Sequence, residues 1–154
     1  MIKEMLENVK RKSPLVHNIT NYVTVNDCAN ILLACGASPI MADDLDEVAE
    51  ITSICSGLNI NIGTLNKRTI LSMIAAGEKA NELNHPIVLD PVGAGASKLR
   101  TDTAKKLLEK VKFSVVRGNL SEIKCLAAGR GNTRGVDSVD FINEKNLDNV
   151  VEFA

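Results

Sequence analysis

Tryptophan is absent from this chain, tyrosine occurs once and phenylalanine three times, so aromatic residues fill only 3% of its 154 positions. Proteins that read single-stranded nucleic acid stack bases on aromatic side chains, and this sequence has almost none to offer. An excess of one charge is missing too. Lys and Arg total 18 against 19 Asp and Glu, for a net charge of −1. That leaves no basic footprint for a nucleic-acid backbone or an anionic membrane. No apolar run approaches the roughly 20 residues that a bilayer-spanning helix requires. The longest, over residues 29–42, is broken by Asn30 and Gly36. Residues 1–12 alternate charged and apolar side chains with no signal-peptide core, so the expected compartment is the cytosol. Cysteine is sparse: Cys28, Cys35, Cys55 and Cys125 form no C-x-x-C pair. Three of them fall in apolar helical stretches, where a reduced thiol packs as a small hydrophobe. Buried free thiols are expected, not disulfides or zinc ligands. The two histidines, His17 and His85, lie far apart and in no H-E-x-x-H pattern, which excludes the usual zinc-hydrolase helix.

What remains is ordinary globular material, 45% hydrophobic and 24% charged. It is enough for one domain over residues 1–154 and hardly for two. Short apolar runs alternate with longer helical periods. Strands are predicted over 15–18, 38–41, 58–62, 86–89 and 113–116. Helices are predicted over 2–11, 21–35, 46–55, 67–83 and 101–111, with another starting near Asn119 and a last one over 147–153. Gly36 reads as a helix stop. Asp44 and Glu47 have capping-box spacing for the helix over 46–55. In the helix over 101–111, Ala104, Leu107, Leu108 and Val111 are expected to face inward. Residues 132–137 read as a polar loop. Strands alternating with helices imply right-handed βαβ crossovers and a mainly parallel sheet in an α/β fold.

Ligands of such sheets bind beyond the carboxyl ends of the strands, and the unusual residues cluster there. Asp90-Pro91-Val92-Gly93-Ala94-Gly95-Ala96 puts a carboxylate at a strand end, followed by small residues that let a ligand approach the backbone. It is neither a P-loop nor G-x-G-x-x-G, since Lys98 stands at the third glycine position. Glycines used only for a tight strand-to-helix connection explain it equally. Arg117-Gly118-Asn119-Leu120-Ser121-Glu122 follows the next strand. Arg117 offers a fork of donors for phosphate oxygens. Asn119 and Glu122 fit a capping box, or an acid held near a Mg²⁺–phosphate cluster, and the two roles are compatible. Asn18-Ile19-Thr20-Asn21 reads as a helix N-cap or a ligand contact. Met41-Ala42-Asp43-Asp44 reads as core filler with a solvated acidic turn, or as a pocket wall. No G-x-S-x-G elbow supports serine hydrolysis. A carboxylate–arginine–carboxylate cleft suits phosphoryl transfer, which needs charge neutralisation and positioning.

Several segments together carry a more specific signal. They are residues 14–30, from Pro14-Leu15-Val16-His17-Asn18 to Asn26-Asp27-Cys28-Ala29-Asn30; Gly36-Ala37-Ser38-Pro39-Ile40-Met41-Ala42-Asp43; Asn61-Ile62-Gly63-Thr64-Leu65; Asp90-Pro91-Val92-Gly93-Ala94; and Arg117-Gly118-Asn119-Leu120-Ser121-Glu122. In this order they resemble the hydroxyethylthiazole kinase family over about residues 14–137. The resemblance implies a ribokinase-like α/β fold and ATP- and Mg²⁺-dependent phosphorylation of 4-methyl-5-(2-hydroxyethyl)thiazole in thiamine biosynthesis and salvage. It also implies homotrimers with active sites between subunits. On it, Met41, with Asn21 and Val23, would line the thiazole pocket. Arg117, with Asn119, would serve ATP, and Asp90 and Glu122 would hold Mg²⁺ through water. Family members continue past this point, adding a threonine that contacts ATP and a glycine-rich turn that forms the anion hole. Residues 138–154 match neither. The chain therefore resembles the N-terminal part of the kinase, truncated at its C-terminal side, and alone is expected to be inactive. The alternative is a non-catalytic remnant that binds ligand or self-associates. Related folds that phosphorylate pyridoxal-type alcohols fit the Met41 segment less well.

Overall fold

The computed structural model describes residues 1–128 and two short strands at 133–134 and 137–138. Five strands run in one sheet: β1 (Leu15–Ile19), β2 (Ser38–Met41), β3 (Gly57–Asn61), β4 (Ile87–Asp90) and β5 (Val115–Val116). Their order is β2-β1-β3-β4-β5, with every neighbouring pair parallel. Parallel pairing puts all five carboxyl ends at one edge, as the alternation of strand and helix predicts. The register fixes how far each strand reaches. Asn18 lies opposite Met41, Ile19 opposite Ile60, and Asn61 opposite Asp90.

The helices are α1 (Ile2–Lys12), α2 (Val25–Cys35), α3 (Val48–Ile54), α4 (Lys67–Glu82), α5 (Lys98–Lys110) and α6 (Leu120–Ala128). The core is aliphatic, built from Leu58, Ile60, Ile87 and Leu89 of the central strands packed with Met73, Ala76 and Ala80 of α4 and Ala104 and Leu107 of α5. On α4 the inward stripe includes Ile74 and Gly77. A Cβ on Gly77 would sit 2.5 Å from the Val111 side chain, so helix α4 approaches Val111 more closely than any other residue would allow. Cys55 and Cys125 are buried, Cys28 and Cys35 half-buried, and all four are free thiols. No helix among the described residues is long and apolar enough to cross a membrane.

Helix α2 departs from the sequence reading twice. It begins at Val25, not at 21, because the Asn21 carboxamide oxygen accepts the backbone N–H groups of Val23 and Thr24 at 3.0 Å each. That local ring holds a turn where a helix was expected. None of its residues is buried, and Ile31 and Leu33 stand 61% and 57% exposed. Helix α3 starts late for a similar reason. The Asp44 side chain accepts the Asp46 N–H at 3.1 Å and its carbonyl accepts those of Glu47 and Val48. The expected Asp44/Glu47 box does not form. Helix α5 starts early, at Lys98, because the Ser97 hydroxyl caps the Arg100 N–H. Leu108 is 40% exposed and not inward, one helical step around from the fully buried Leu107. Within the loop read over 132–137, Thr133–Arg134 (β6) pairs antiparallel with Asp137–Ser138 (β7). The rest of that loop, and the helix over 147–153, lie outside the described residues.

Candidate functional site

A cavity of about 370 Å³ opens at the carboxyl ends of β4 and β5, lined by Asp90, Val92, Arg117, Gly118, Asn119 and Glu122. That is within the size range of small-ligand sites. The structure thus brings together Asp90, Arg117, Asn119 and Glu122 from two separate motifs, as parallel strands with register Val88–Val115 require.

Asp90 is the last residue of β4. Its Oδ2 accepts two bonds, from Arg117 Nη1 at 2.6 Å and from Asn61 Nδ2 at 3.0 Å. Burial raises the Asp90 pKa above the usual carboxylate value, while the Arg117 charge and the two hydrogen bonds oppose that rise. Among the described residues no donor reaches Oδ1. Arg117 is far more open, with 74% of its side chain exposed against 15% for Asp90. An exposed guanidinium beside a sheltered carboxylate can swing to a second anion with little desolvation.

Glu122 is buried, only 4% exposed, in the first turn of α6. Its Oε2 accepts the Asn119 N–H at 2.8 Å, and Asn119 Oδ1 accepts the Glu122 N–H at 2.9 Å. This is the capping box expected from the sequence. Its other oxygen goes further: Oε1 accepts the Gly93 N–H at 2.7 Å. Gly93 has φ +73°, a conformation that favours glycine. The carboxylate thereby ties the loop after β4 to the start of α6.

Met41, Asn21 and Val23 do not join this cavity. Met41 ends β2, an edge strand, and is 39% exposed, so it is not core filler. Three strand spacings separate β2 from β4, about 14 Å at the usual 4.8 Å per strand. Val23 is 83% exposed on the turn before α2. Asn21 is nearer. It is buried and its Nδ2 donates to Asn61 Oδ1 at 3.1 Å. A hydrogen-bonded row therefore crosses the carboxyl edge of the sheet, Asn21–Asn61–Asp90–Arg117.

Asn61 is the member that sequence reasoning missed as a site residue. The available signal was a carboxamide at a strand's carboxyl end, two residues before Gly63. Arg100, in α5, was also unforeseen: its Nη2 donates to the Gly63 carbonyl at 2.6 Å and its Nη1 reaches the Val92 carbonyl at 3.5 Å, so it bridges the loops after β3 and β4. His17 of β1, wholly buried, bonds Ala42 O through Nε2 at 2.8 Å and Thr52 Oγ1 through Nδ1 at 2.9 Å. Burial pushes its pKa below the ordinary value, against the Ala42 bond and the charge of Glu47. Among the described residues no group of three or more His, Cys, Asp or Glu converges to cage a metal. The cavity offers two carboxylates and one guanidinium. That donor set suits a hydrated hard cation accompanied by phosphate, not an all-protein metal cage.

Comparison with known proteins gives a consistent answer. A sequence profile of the hydroxyethylthiazole kinase family matches residues 6–154. A hydroxyethylthiazole kinase from Clostridium acetobutylicum is 70% identical over all of this chain and 57% of its own length. One from Clostridium beijerinckii is 68% identical over 89% of this chain and 50% of its own. The solved structure of hydroxyethylthiazole kinase protein from Pyrococcus horikoshii OT3 superposes with a TM-score of 0.79 at 48% identity, covering 82% of this chain and 49% of that one. The chain spans about half the length of the curated relatives it matches.

Proposed function

The chain belongs to the hydroxyethylthiazole kinase family, and from that premise we propose that it forms the nucleotide site, and part of the alcohol site, of a cytosolic kinase that uses ATP to phosphorylate 4-methyl-5-(2-hydroxyethyl)thiazole. The observation that carries the reading is the convergence of Asp90, Arg117, Asn119 and Glu122 on one cavity at the carboxyl edge of a parallel sheet.

The chemistry of those groups supports it. Arg117, exposed and with a fork of donors, takes phosphate oxygens. Asp90 and Glu122 outnumber it in charge, which favours a divalent cation arriving with the polyphosphate. Among the described residues no donor reaches Asp90 Oδ1, and both Glu122 oxygens are already engaged by N–H groups. Both acids therefore suit Mg²⁺ held through water. Mg²⁺ bound there would neutralise charge on the transferred phosphoryl group. Glu122 holds the loop after β4 against α6 and keeps the cavity's two walls in register. Arg117 exchanges its bond to Asp90 for bonds to phosphate.

Asn21 places the alcohol-binding turn next to this cavity. Met41, about 14 Å away across three strands, serves the pocket of a second copy better than its own. Exposed apolar side chains on the turn after β1 (Tyr22, Val23), on α2 (Ile31, Leu33) and just after β2 (Leu45) support association with further copies, in a homotrimer. Titration calorimetry with Mg·ATP tests the nucleotide assignment. Losing a charge-assisted contact worth about 1.5–3 kcal/mol makes Arg117→Ala weaken binding tenfold to a hundredfold or so. Binding indifferent to both Arg117→Ala and Asp90→Asn, or no nucleotide binding at all, overturns the reading.

A further inference from the structure

Resting on that reading, we propose that Asn61 is a positioning residue whose carboxamide ties the Asn21 turn to the Asp90 carboxylate, so that one side chain sets the alcohol half and the nucleotide half of the site together. The hydrogen bonds leave its orientation no freedom. Gly63 N–H donates to Asn61 Oδ1 at 2.9 Å, so the oxygen must face that loop and the NH₂ must face Asp90. Asn21 is fixed in turn. Its oxygen accepts from Val23 and Thr24, which leaves its NH₂ to meet Asn61 Oδ1 at 3.1 Å. Close approach makes this possible: a Cβ on Gly63 would lie 2.9 Å from Asn21 Cβ and 3.0 Å from Asn61 Oδ1.

The fold does not need this side chain. The pairing of β3 with β4 is made by backbone, through register Asn61–Asp90 and the bond from Ile62 N–H to the Asp90 carbonyl. The nucleotide half does need it. Among the described residues Asp90 Oδ2 has two partners, and one of them, Arg117, is the exposed group that leaves for phosphate. When it does, Asn61, 9% exposed and braced from both sides, is the partner that still holds the carboxylate in place.

The test is calorimetry on the full chain with two probes separately, Mg·AMP-PNP and the thiazole alcohol, recording both Kd and stoichiometry. Asn61→Leu should weaken both probes at least about fivefold, the scale of one lost hydrogen bond, with stoichiometry unchanged. Asn21→Ala should weaken the alcohol alone, and Arg117→Ala the nucleotide alone. Asn61→Asp guards against a folding defect, because it keeps the acceptor for Gly63 and Asn21. At pH 8.5 it should weaken the nucleotide and leave the alcohol within about twofold of parent. A purely structural role would lower stoichiometry and melting temperature while leaving Kd at the parent value. That result, or parent-like Kd values for both probes in both Asn61 variants, overturns this inference alone. A parent chain that binds neither probe overturns the functional reading, and this inference with it.

Discussion

Glutamine is often as good as glutamate in a capping box, yet here Glu122→Gln should be costly. The Glu122 carboxylate accepts two backbone N–H groups on different oxygens, Gly93 at 2.7 Å and Asn119 at 2.8 Å, at a position only 4% exposed. A glutamine of the same shape has one acceptor oxygen. Whichever N–H keeps it, the other then faces an NH₂ group, donor against donor. One buried N–H left unsatisfied costs about 1–3 kcal/mol. Around 2 kcal/mol is therefore expected for Glu122→Gln, or about 4–8 °C in melting temperature for a chain of this size. Glu122→Ala strips both N–H groups and leaves a void, for roughly 3–5 kcal/mol. Urea unfolding and thermal melting of the parent and both variants measure this. The order parent, Gln, Ala, with a clear gap at each step, is the expected outcome. A Glu122→Gln protein within about 0.5 kcal/mol of parent would refute the reasoning and reduce Glu122 to an ordinary cap.

Two further predictions follow from packing and burial. Gly77→Ala gains about 1 kcal/mol of helix propensity but drives a methyl to 2.5 Å from Val111; overpacking of about 1–3 kcal/mol should win, lowering the urea midpoint. The same substitution in a Val111→Ala background should be neutral or stabilising. His17 has its pKa depressed by burial, so the folded ring stays neutral where the unfolded chain takes up a proton. Its contribution is complete above the unfolded value of about 6.5 and is lost as pH falls below it, by up to about 1.4 kcal/mol per pH unit. Urea unfolding between pH 7 and 5.5 should show a steeper loss in the parent than in His17→Gln.

The parallel sheet was legible because each strand is a short apolar run followed by a break, and each break is followed by a helical period. Ser38–Met41 was read to the residue. The cavity was legible because one topological rule points to strand ends, and Asp90 and Arg117 stand at two of them. Three helix starts, those of α2, α3 and α5, were not. Asn21, Asp44 and Ser97 are all good caps by type, but two of them close turns on their own backbone, and only Ser97 caps a helix. A side-chain oxygen that reaches two residues ahead looks the same in sequence as one that reaches a helix. Leu108 failed for a different reason. The helix over Lys98–Lys110 presents a narrow buried stripe, and Leu108 stands one step off it. Asn61 escaped notice because its importance lies in three partners from three segments, at positions 21, 63 and 90, which no local pattern reveals.

On the proposed function, the carboxyl edge of the sheet binds a metal–nucleotide at β4 and β5 and an alcohol beside β1. Amide NMR of the ¹⁵N-labelled chain, titrated with Mg·AMP-PNP and then with the thiazole alcohol, tests it most directly. Shifts are expected at Gly93, Gly118 and Asn119 for the nucleotide, and at Asn21, Tyr22 and Val23 for the alcohol, with Asn61 and Gly63 responding to both. Shifts confined to the amino-terminal edge of the sheet or to the outer helices, with these residues unmoved, would contradict it.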